Sequence, residues 1–525
     1  MLDSLRIRLA RRDFFRGGLV ASLTSLFQPR VAAAAGAGLQ LGPSIYESIG
    51  VKPLINARGT FTIISGSTML PEARAAMAEG AKHYVHIDEL MNGIGARLAE
   101  LTKAEWGMVS CGCSAALTHA TAACIAGGNP DLHVRLPDLT GFAKSEVVIP
   151  RHSRNVYDAA IRSVGATVIE VGTVEELEAA LGPRSAMVYI LAGPASETGP
   201  LDTRTICAIA KKRNVPVLVD AAAEILTVPN VHLEKGASLV AYSGGKCIRG
   251  PQTAGLLLGR KDLVKAAWVH SSPHHGYARS MKIGKEEAIA MLMAVEMWMK
   301  RDHTAEYKEW LNRLDHVGKR LAGIPGVTTS VREPEGLSNK TPTLLVRWDP
   351  AKLGITGRAV ARHLYMTEPR IALPTNVSDG VSVVPYMMAP GDEKIVADRL
   401  HATLTKPPAG EQVSEAPPAA DLSGRWDVKI EYTAGTSQHA LHLNQKAGRL
   451  EGTHQGDFVS RDLTGTVNGN RVRLMSSLNE RHGDSLQFEF IGELAGDQMS
   501  GTLNMGEYLE ARWTATRHVI SAHRA

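Results

Sequence analysis

The chain has 525 residues, enough for two or three domains, and its composition of 44% hydrophobic and 21% charged residues is that of an ordinary globular protein. Its formal net charge is +5, and residues 1–35, with six arginines against two aspartates, carry +4 of it. Because the remainder is nearly neutral, there is no electrostatic reason to expect nucleic acid as a partner.

The N-terminal segment 1–35 has the layout of a twin-arginine export signal. The twin arginines of ARRDFFRGG (10–18) precede two phenylalanines, the apolar run LVASLTSLF (19–27) follows, and small residues suited to cleavage come next. An amphipathic terminal helix or a basic tail is the alternative interpretation. We expect an exported, periplasmic protein, and the apolar run is too short to span a membrane stably.

The next part of the chain alternates short apolar runs with helix-length segments, which predicts a mainly parallel α/β sheet covered on both faces. The interpretation gives a large α/β domain over 44–325 and a smaller α+β domain over 326–405. Long helical stretches are expected at 75–103 and 285–322. The predicted strands of the large domain are WGMVS (106–110), SEVVIP (145–150), ATVIEV (166–171), AMVYIL (186–191), VPVLVD (215–220), SLVAYS (238–243) and AGLLLG (254–259).

The C-terminal part has a different residue pattern. KPPAGEQVSEAPPAAD (406–421) is rich in proline, alanine and glutamate without any period, as in a linker. Residues 422–520 then alternate polar and apolar positions between turn signals, which predicts an antiparallel barrel or sandwich. Nothing in this β domain suggests catalytic chemistry, so an accessory or assembly role is the default expectation.

One lysine in the α/β part stands out. Lys246 lies in YSGGKCIRGPQ (242–252) between two buried strands, Asp220 closes VPVLVD, and SCGCSAAL (110–117) opens a helix whose free N–H groups suit a phosphate. Each feature alone is common as a surface lysine, a helix cap or a tightly packed turn. Their order and spacing together match pyridoxal phosphate, with the lysine as covalent anchor and the acid keeping the ring nitrogen protonated. The glycines around Lys246 are then expected to leave room for the ring and its phosphate.

Several segments of residues 44–400 resemble the selenocysteine synthase-like superfamily of fold-type-I pyridoxal-phosphate enzymes, most closely the D-glucosaminate-6-phosphate ammonia-lyase-like branch. The matching segments are INARGTFTIISGST (55–68), HYVHIDELMNGIGARLAELT (83–102), SCGCSAALTHATAAC (110–124), VLVDAAAE (217–224), YSGGKCIRGPQTAGLLLGRKDLV (242–264) and RSMKIGKEEAIAMLMAVE (279–296). The resemblance implies a fold-type-I transferase architecture for the α/β part. The export signal and the β domain lie outside it.

The resemblance also implies roles for individual residues. Lys246 would form the Schiff base and Asp220 would pair with the ring nitrogen. The residues expected at the cofactor phosphate are Cys113, Ser114, Ala115 and Ser243. Arg370 falls where many such enzymes bind the substrate carboxylate, although an ordinary surface ion pair is an equal alternative.

Two further substrate candidates come from their places in the chain. His152 follows a strand end and Arg279 lies in a loop near two histidines, and a structural role is the alternative for both. No metal site is expected, because HYVH and HH lack a third ligand at a fixed spacing.

The residue before the lysine restricts the chemistry. In selenocysteine synthase an acidic residue precedes the lysine, whereas this chain has Gly245, which argues against a tRNA substrate. We expect an enzyme that acts on a small amino acid or amino sugar acid by α,β-elimination with release of ammonia. The alternatives are an aminotransferase, racemase or aldolase on the same scaffold, or a non-catalytic protein that binds the cell envelope. A homodimer or higher homo-oligomer is expected, because fold-type-I sites are usually built at a subunit interface.

Overall fold

The computed structural model describes residues 38–374, 379–408, 416–479 and 485–519. The predicted export signal lies outside the described residues. Within those ranges, none of the helices combines the length and apolar character that a membrane crossing requires.

The α/β part runs from residue 55 to residue 321. Its strands and helices are β1 (Ile55–Asn56), α1 (Pro71–Gly80), α2 (Ile87–Thr102), β2 (Trp106–Ser110), α3 (Cys113–Ala126), α4 (Pro130–His133), β3 (Glu146–Pro150), α5 (Ala159–Arg162), β4 (Thr167–Val171), α6 (Val174–Ala180), β5 (Ser185–Leu191), α7 (Pro194–Glu197), α8 (Thr203–Lys212), β6 (Val217–Asp220), α9 (Val231–Glu234), β7 (Leu239–Ser243), β8 (Gly255–Gly259), α10 (Lys261–Val269), α11 (Lys285–Lys300) and α12 (His303–Leu321).

Seven of these strands form one sheet in the order β2-β8-β7-β6-β5-β3-β4. Neighbouring strands are parallel from β4 to β7, and β8 is antiparallel to both β7 and β2. The strands β5 and β6 are buried almost throughout, as expected for a sheet covered on both faces. The predicted mainly parallel fold-type-I sheet is confirmed.

Helix α3 is buried along nearly its whole length. Of its 14 residues only Ser114 is exposed, and the alanines, cysteines and threonines that dominate it are small enough for close packing against the sheet and α10. Each predicted long helical stretch is divided in two. Residues 81–86 separate α1 from α2, and residues 301–302 separate α11 from α12. Asp302 caps the start of α12, because its side chain accepts a hydrogen bond from the Ala305 N–H at 2.9 Å.

The smaller α+β part has its own hydrophobic core. Its elements are β9 (Val327–Arg332), β10 (Thr343–Trp348), α13 (Pro350–Leu353), α14 (Gly357–Met366), β11 (Ile371–Ala372), β12 (Gly380–Val383) and α15 (Asp392–Thr405). Strands β12, β10 and β9 form an antiparallel sheet, while β11 pairs in parallel with β1. Leu314, Val317 and Leu321 of α12 pack into this second core, so α12 joins the two parts.

The C-terminal part is a closed barrel of eight antiparallel strands. They are β13 (Gly424–Glu431), β14 (Thr436–Lys446), β15 (Arg449–Gln455), β16 (Ser460–Asn468), β17 (Arg471–Asn479), β18 (Ser485–Ala495), β19 (Gln498–Asn504) and β20 (Glu510–Arg517). Each strand pairs with the next, and β20 pairs with β13. Trp426, Phe490 and Trp513 fill the interior. Of the two predicted forms, barrel or sandwich, the structure has the barrel.

Candidate active site

The candidate site lies at one edge of the seven-stranded sheet. Because β2 and β7 are both antiparallel to β8, they run in the same direction, and β6 is parallel to β7. Their carboxyl ends therefore meet at the same edge, where open α/β sheets bind ligands. This arrangement brings together Asp220 at the end of β6, Ser243 at the end of β7 and the turn that follows β2.

Lys246 lies in the turn that connects β7 to β8 and is partly buried. The two glycines before it are packed against protein. A Cβ atom on Gly244 would lie 2.6 Å from the Met291 sulfur, and one on Gly245 would lie 2.7 Å from the Gln252 Cα. The interpretation that these glycines leave room for a cofactor is therefore corrected, since the structure uses them for close packing of the turn.

Asp220 is the centre of a buried hydrogen-bond network. Its carboxylate is 2% exposed and accepts hydrogen bonds from the Tyr189 hydroxyl at 2.9 Å and from the Ala222 N–H at 3.1 Å. The Cys113 thiol donates to it at 3.6 Å, and the Asn155 side-chain amide donates to Tyr189 Oη at 2.9 Å. Leu191 of β5 is paired with Asp220, so Tyr189, two residues earlier, lies on the same face of the sheet.

Burial dominates the titration of this network. It raises the pKa of the Asp220 carboxyl, while the hydrogen bonds from Tyr189 and Ala222 and the positive charge of Lys246 act in the opposite direction. Burial and the Asp220 charge also raise the pKa values of Tyr189 and Cys113 well above their ordinary values, so both remain protonated donors. The site thus holds a carboxylate in a low-dielectric environment that a nearby cation would stabilise.

The helix α3 begins in this site. Its N-cap, Gly112, has a positive φ of 97°, and the first N–H groups, those of Cys113, Ser114 and Ala115, have no acceptor within the helix. Gly255 of β8 touches this turn so closely that a Cβ atom there would lie 2.4 Å from the Gly112 carbonyl carbon. These free donors and the positive end of the helix are suited to a phosphate.

A cavity of about 560 Å³ opens in front of Lys246. It is lined by Arg58, Gly59, Thr60, Phe61, Thr62, Tyr157, Pro194, Lys246, Arg332, Glu333, Pro334, Glu335, Ser338, Asn339, Thr341, Thr343, Pro374, Val384 and Tyr386. Hydroxyl, amide and charged groups make up much of this lining, and the α/β part and the smaller part both contribute to it. The cavity therefore suits a small polar molecule that approaches the lysine.

The three predicted substrate residues lie outside the lining of this cavity. Arg370 donates to the carbonyl oxygens of Tyr365 at 2.9 Å and Lys52 at 3.2 Å. His152 Nε2 lies 3.2 Å from Leu201 O, and His152 Nδ1 lies 3.1 Å from Ser153 Oγ. Arg279 donates to Ser272 Oγ at 2.8 Å. Their assignment to the substrate stays a prediction.

Sequence reasoning missed Tyr189, Asn155, Arg58 and Tyr386. The apolar run AMVYIL predicts a buried strand, and the hydroxyl of Tyr189 within it requires a hydrogen-bond partner. That requirement was the signal that could have identified it. Arg58 lies in the quoted segment INARGTFTIISGST, where nothing local distinguishes it from a surface arginine.

A second cavity of about 770 Å³ shares Tyr386 with the first and reaches Cys247. Two of the charged groups in its lining pair with each other, since Arg301 donates to Glu306 at 2.7 Å and 2.9 Å. The smaller cavity contains Lys246, the lysine in the turn beside Asp220 and the start of α3, so we place the chemistry there.

The donor set fits pyridoxal phosphate. A primary amine faces the open cavity, a buried carboxylate can meet the ring nitrogen, and a helix N-terminus can hold the phosphate. The Gly112–Gly255 contact shapes the cradle at that helix. Lys246, Asp220 and the first residues of α3 lie at the same edge of the sheet, and their individual roles stay predictions.

Comparisons with known proteins bear on the same part of the chain. Residues 144–279 match the Aminotransferase class-V family. The chain is 30% identical over 369 residues to D-glucosaminate-6-phosphate ammonia lyase of Salmonella typhimurium, covering 68% of this chain and 97% of the relative. It is 31% identical over 376 residues to 5'-C-glycyluridine monooxygenase-decarboxylase of a Streptomyces species, covering 68% and 92%.

A solved structure is also similar to this chain. The structure of D-glucosaminate-6-phosphate ammonia-lyase matches with a TM-score of 0.62 at 29% identity and covers 69% of this chain and 98% of that chain. The predicted cofactor, pyridoxal phosphate, and the predicted enzyme class, a lyase or transferase, are confirmed. The chain belongs to the family of pyridoxal-phosphate-dependent enzymes that includes D-glucosaminate-6-phosphate ammonia lyase.

Proposed function

We propose that this enzyme eliminates ammonia from a small amino acid or amino sugar acid that carries a hydroxyl group at Cβ. The observation that carries the proposal is the polar cavity of about 560 Å³ lined by Lys246, together with the buried Asp220 carboxylate, on which the charge of Lys246 acts. Hydroxyl and amide groups such as those of Thr60, Ser338 and Asn339 suit a polyhydroxylated substrate. The relative named D-glucosaminate-6-phosphate ammonia lyase supports an amino sugar acid as the substrate class.

The reaction balances without an oxidant. Loss of a proton from Cα and of hydroxide from Cβ removes water and leaves an enamine, which tautomerises to an imine. Hydrolysis of the imine takes up the water again and releases ammonia and a keto acid. When bound, pyridoxal phosphate supplies an electron sink for the charge left at Cα.

The chain's own residues then have distinct tasks. The Lys246 amine would attach the cofactor and afterwards move the proton at Cα, as a general base within reach of the cavity. Asp220 would hold a proton on the ring nitrogen, and the hydrogen bond from Tyr189 favours its charged form. The N–H groups of Cys113, Ser114 and Ala115, with Ser243 as a further donor, would bind the phosphate.

A substrate screen with product analysis tests the proposal. Purified protein loaded with pyridoxal phosphate is incubated with amino acids and amino sugar acids, and ammonia, keto acid and oxygen uptake are measured. Ammonia and keto acid in equal amounts without oxygen uptake are expected, and Lys246→Ala should produce neither. Keto acid formed only with an added amino acceptor would indicate an aminotransferase. Oxygen uptake would indicate chemistry like that named for the Streptomyces relative, and either result would refute the lyase.

We also propose that the enzyme acts as a homodimer or higher homo-oligomer. Phe61 lines the candidate cavity, and Ile63, two residues later, is 83% exposed. Tyr84 in the loop between α1 and α2 is fully exposed as well. Such apolar exposure next to a site is typical of a contact surface. Sedimentation of the loaded enzyme should show at least a dimer, and a monomer that retains full activity would refute this.

The export proposal rests on the twin arginines and the apolar run within residues 1–35. Transport of the folded protein would allow pyridoxal phosphate to bind before export. Sequencing the N-terminus of the mature protein from the periplasmic fraction should find a start between about residues 33 and 40, where small residues suit a signal peptidase. An intact N-terminus in the cytoplasmic fraction would contradict the proposal.

A further inference from the structure

Arg58 is a charged group in the candidate cavity, and no acid in the described part of the chain forms a salt bridge with it. It lines the cavity together with Lys246. Its Nε atom is buried and has no hydrogen-bond partner, and its guanidinium carbon lies 4.3 Å from the centre of the Phe61 ring. Among the described residues, Arg58 makes no salt bridge. A guanidinium that lines a cavity without an ionic partner is suited to bind an anionic group of a ligand.

The acids of the same cavity do not meet this need. Glu333 accepts a hydrogen bond from the Tyr307 hydroxyl, and Glu335 lies on the exposed loop at the rim. Neither forms an ion pair with Arg58. A molecule that enters the cavity can therefore supply the anionic group that pairs with Arg58.

The backbone that carries Arg58 is held in place from several sides. The Asn56 side chain accepts hydrogen bonds from the Arg58 N–H at 3.1 Å and the Gly59 N–H at 2.9 Å. The Thr60 hydroxyl lies 2.8 Å from the Tyr386 hydroxyl, and the Val384 N–H donates to Ala57 O at 2.9 Å. Because these contacts fix the loop, little conformational entropy is lost when Arg58 binds a ligand.

We propose that Arg58 binds the carboxylate of the amino acid substrate and so restricts the enzyme to substrates with a free acid group. The terminal N–H groups of the Arg58 guanidinium would donate in parallel to the two carboxylate oxygens, as in the fork geometry of arginine–carboxylate pairs. The acid group in question is that of the substrate, because residues 113–115, expected at the cofactor phosphate, do not line this cavity. The inference rests on the proposed function, since it names the group by which the same site recognises its substrate.

This assignment differs from the one that the sequence favours. Arg370 already donates to two backbone carbonyl oxygens and lies 4.4 Å from the Tyr365 ring centre, and it does not line the cavity. It is therefore the matched control, being an arginine of the same chain whose donors are used by the protein.

The test compares glycine with glycinamide as probes of the loaded enzyme. Both bring an amine to Lys246, but only glycine carries a carboxylate, and binding is followed by the visible absorbance of the bound cofactor. Wild type should bind glycine more tightly than glycinamide, and Arg58→Gln should weaken glycine binding by about tenfold to a hundredfold without affecting glycinamide. Arg58→Lys should retain part of the preference, and Arg370→Gln should keep all of it.

Three results would overturn the inference. Arg58→Gln could keep the preference for glycine, Arg370→Gln could lose it, or Arg58→Gln could fail to take up pyridoxal phosphate at all, which would assign the anion to the cofactor. The glycine preference does not depend on ammonia release, so a wild type that shows the preference but makes no ammonia would refute the lyase and leave Arg58 in its role. A cooperative thermal transition in each variant confirms that it is folded.

Discussion

Replacing Tyr189 with phenylalanine removes one hydrogen bond from the buried Asp220 carboxylate. In the wild type the Tyr189 hydroxyl donates to Asp220 Oδ2 at 2.9 Å, and it accepts from the Asn155 side-chain amide at 2.9 Å. Phenylalanine keeps the ring in its buried position, and Asn155 keeps its bond to Ser153 O at 2.8 Å. The substitution therefore changes the electrostatics of Asp220 with little change in packing.

The expected magnitude follows from the charge of the acceptor. A hydrogen bond to a charged group contributes about 1.5–3 kcal/mol, equivalent to about one to two pKa units. Burial already raises the pKa of Asp220, and the Tyr189 bond opposes that effect. In Tyr189→Phe the pKa of Asp220 rises further, so the carboxylate is lost at a higher pH as the solution is acidified.

The assay is the pH dependence of kcat/KM together with the visible absorbance of the bound cofactor. The acidic limb of the profile should move to higher pH by about one to two units in Tyr189→Phe. Tyr242→Phe is the matched control, because Tyr242 is equally buried on β7 but accepts from Asn230 at 2.7 Å and has no bond to Asp220. An unchanged acidic limb in Tyr189→Phe, or an equal shift in Tyr242→Phe, would refute the reasoning.

Two further predictions concern packing and acid stability. Gly255→Ala would place a methyl group 2.4 Å from the Gly112 carbonyl carbon and displace the start of α3, so cofactor affinity should fall by about tenfold or more in an absorbance titration. Gly128→Ala, where no atom lies within 4 Å, is its control, and equal affinities would contradict the prediction. In the barrel, burial lowers the pKa of His454 to about 3, so the unfolded chain binds more protons once the pH falls below about 6.5. Barrel stability, complete above that pH, should then decrease by about 1.4 kcal/mol per pH unit in amide hydrogen exchange. His454→Gln should reduce this slope and leave the part that comes from His439, whose pKa burial also lowers, while the exposed His442→Gln should keep it in full. An undiminished slope in His454→Gln would count against the explanation.

The positions of Lys246 and Asp220 could be predicted because they depend on local features. Each follows an apolar run, and the carboxyl ends of parallel strands meet at one edge whatever the strand order. The start of α3 after β2 could be predicted for the same reason, and its role at a phosphate stays a prediction. Barrel and sandwich could not be distinguished, since both require the same alternation of polar and apolar residues along the strands.

Arg58 and Tyr189 could not be identified in this way, because their roles depend on distant pairings. Arg58 faces the cavity because β1 pairs with β11, which joins Ile55 to Ile371 across the chain. Tyr189 meets Asp220 because β5 lies beside β6, and the sequence pattern does not give that neighbour relation. For Arg370 the sequence gives the residue type but not its contacts, which are with two nearby backbone carbonyl oxygens.

The closed barrel has a consequence for how such a chain can arise. Its eight strands, β13 to β20, follow one another without interruption, and every ladder of the barrel is made between them. No strand of the enzyme sheet comes from this region. Recombination in the preceding segment could therefore add or remove the barrel as one unit. The order of the catalytic strands and helices along the chain would not change.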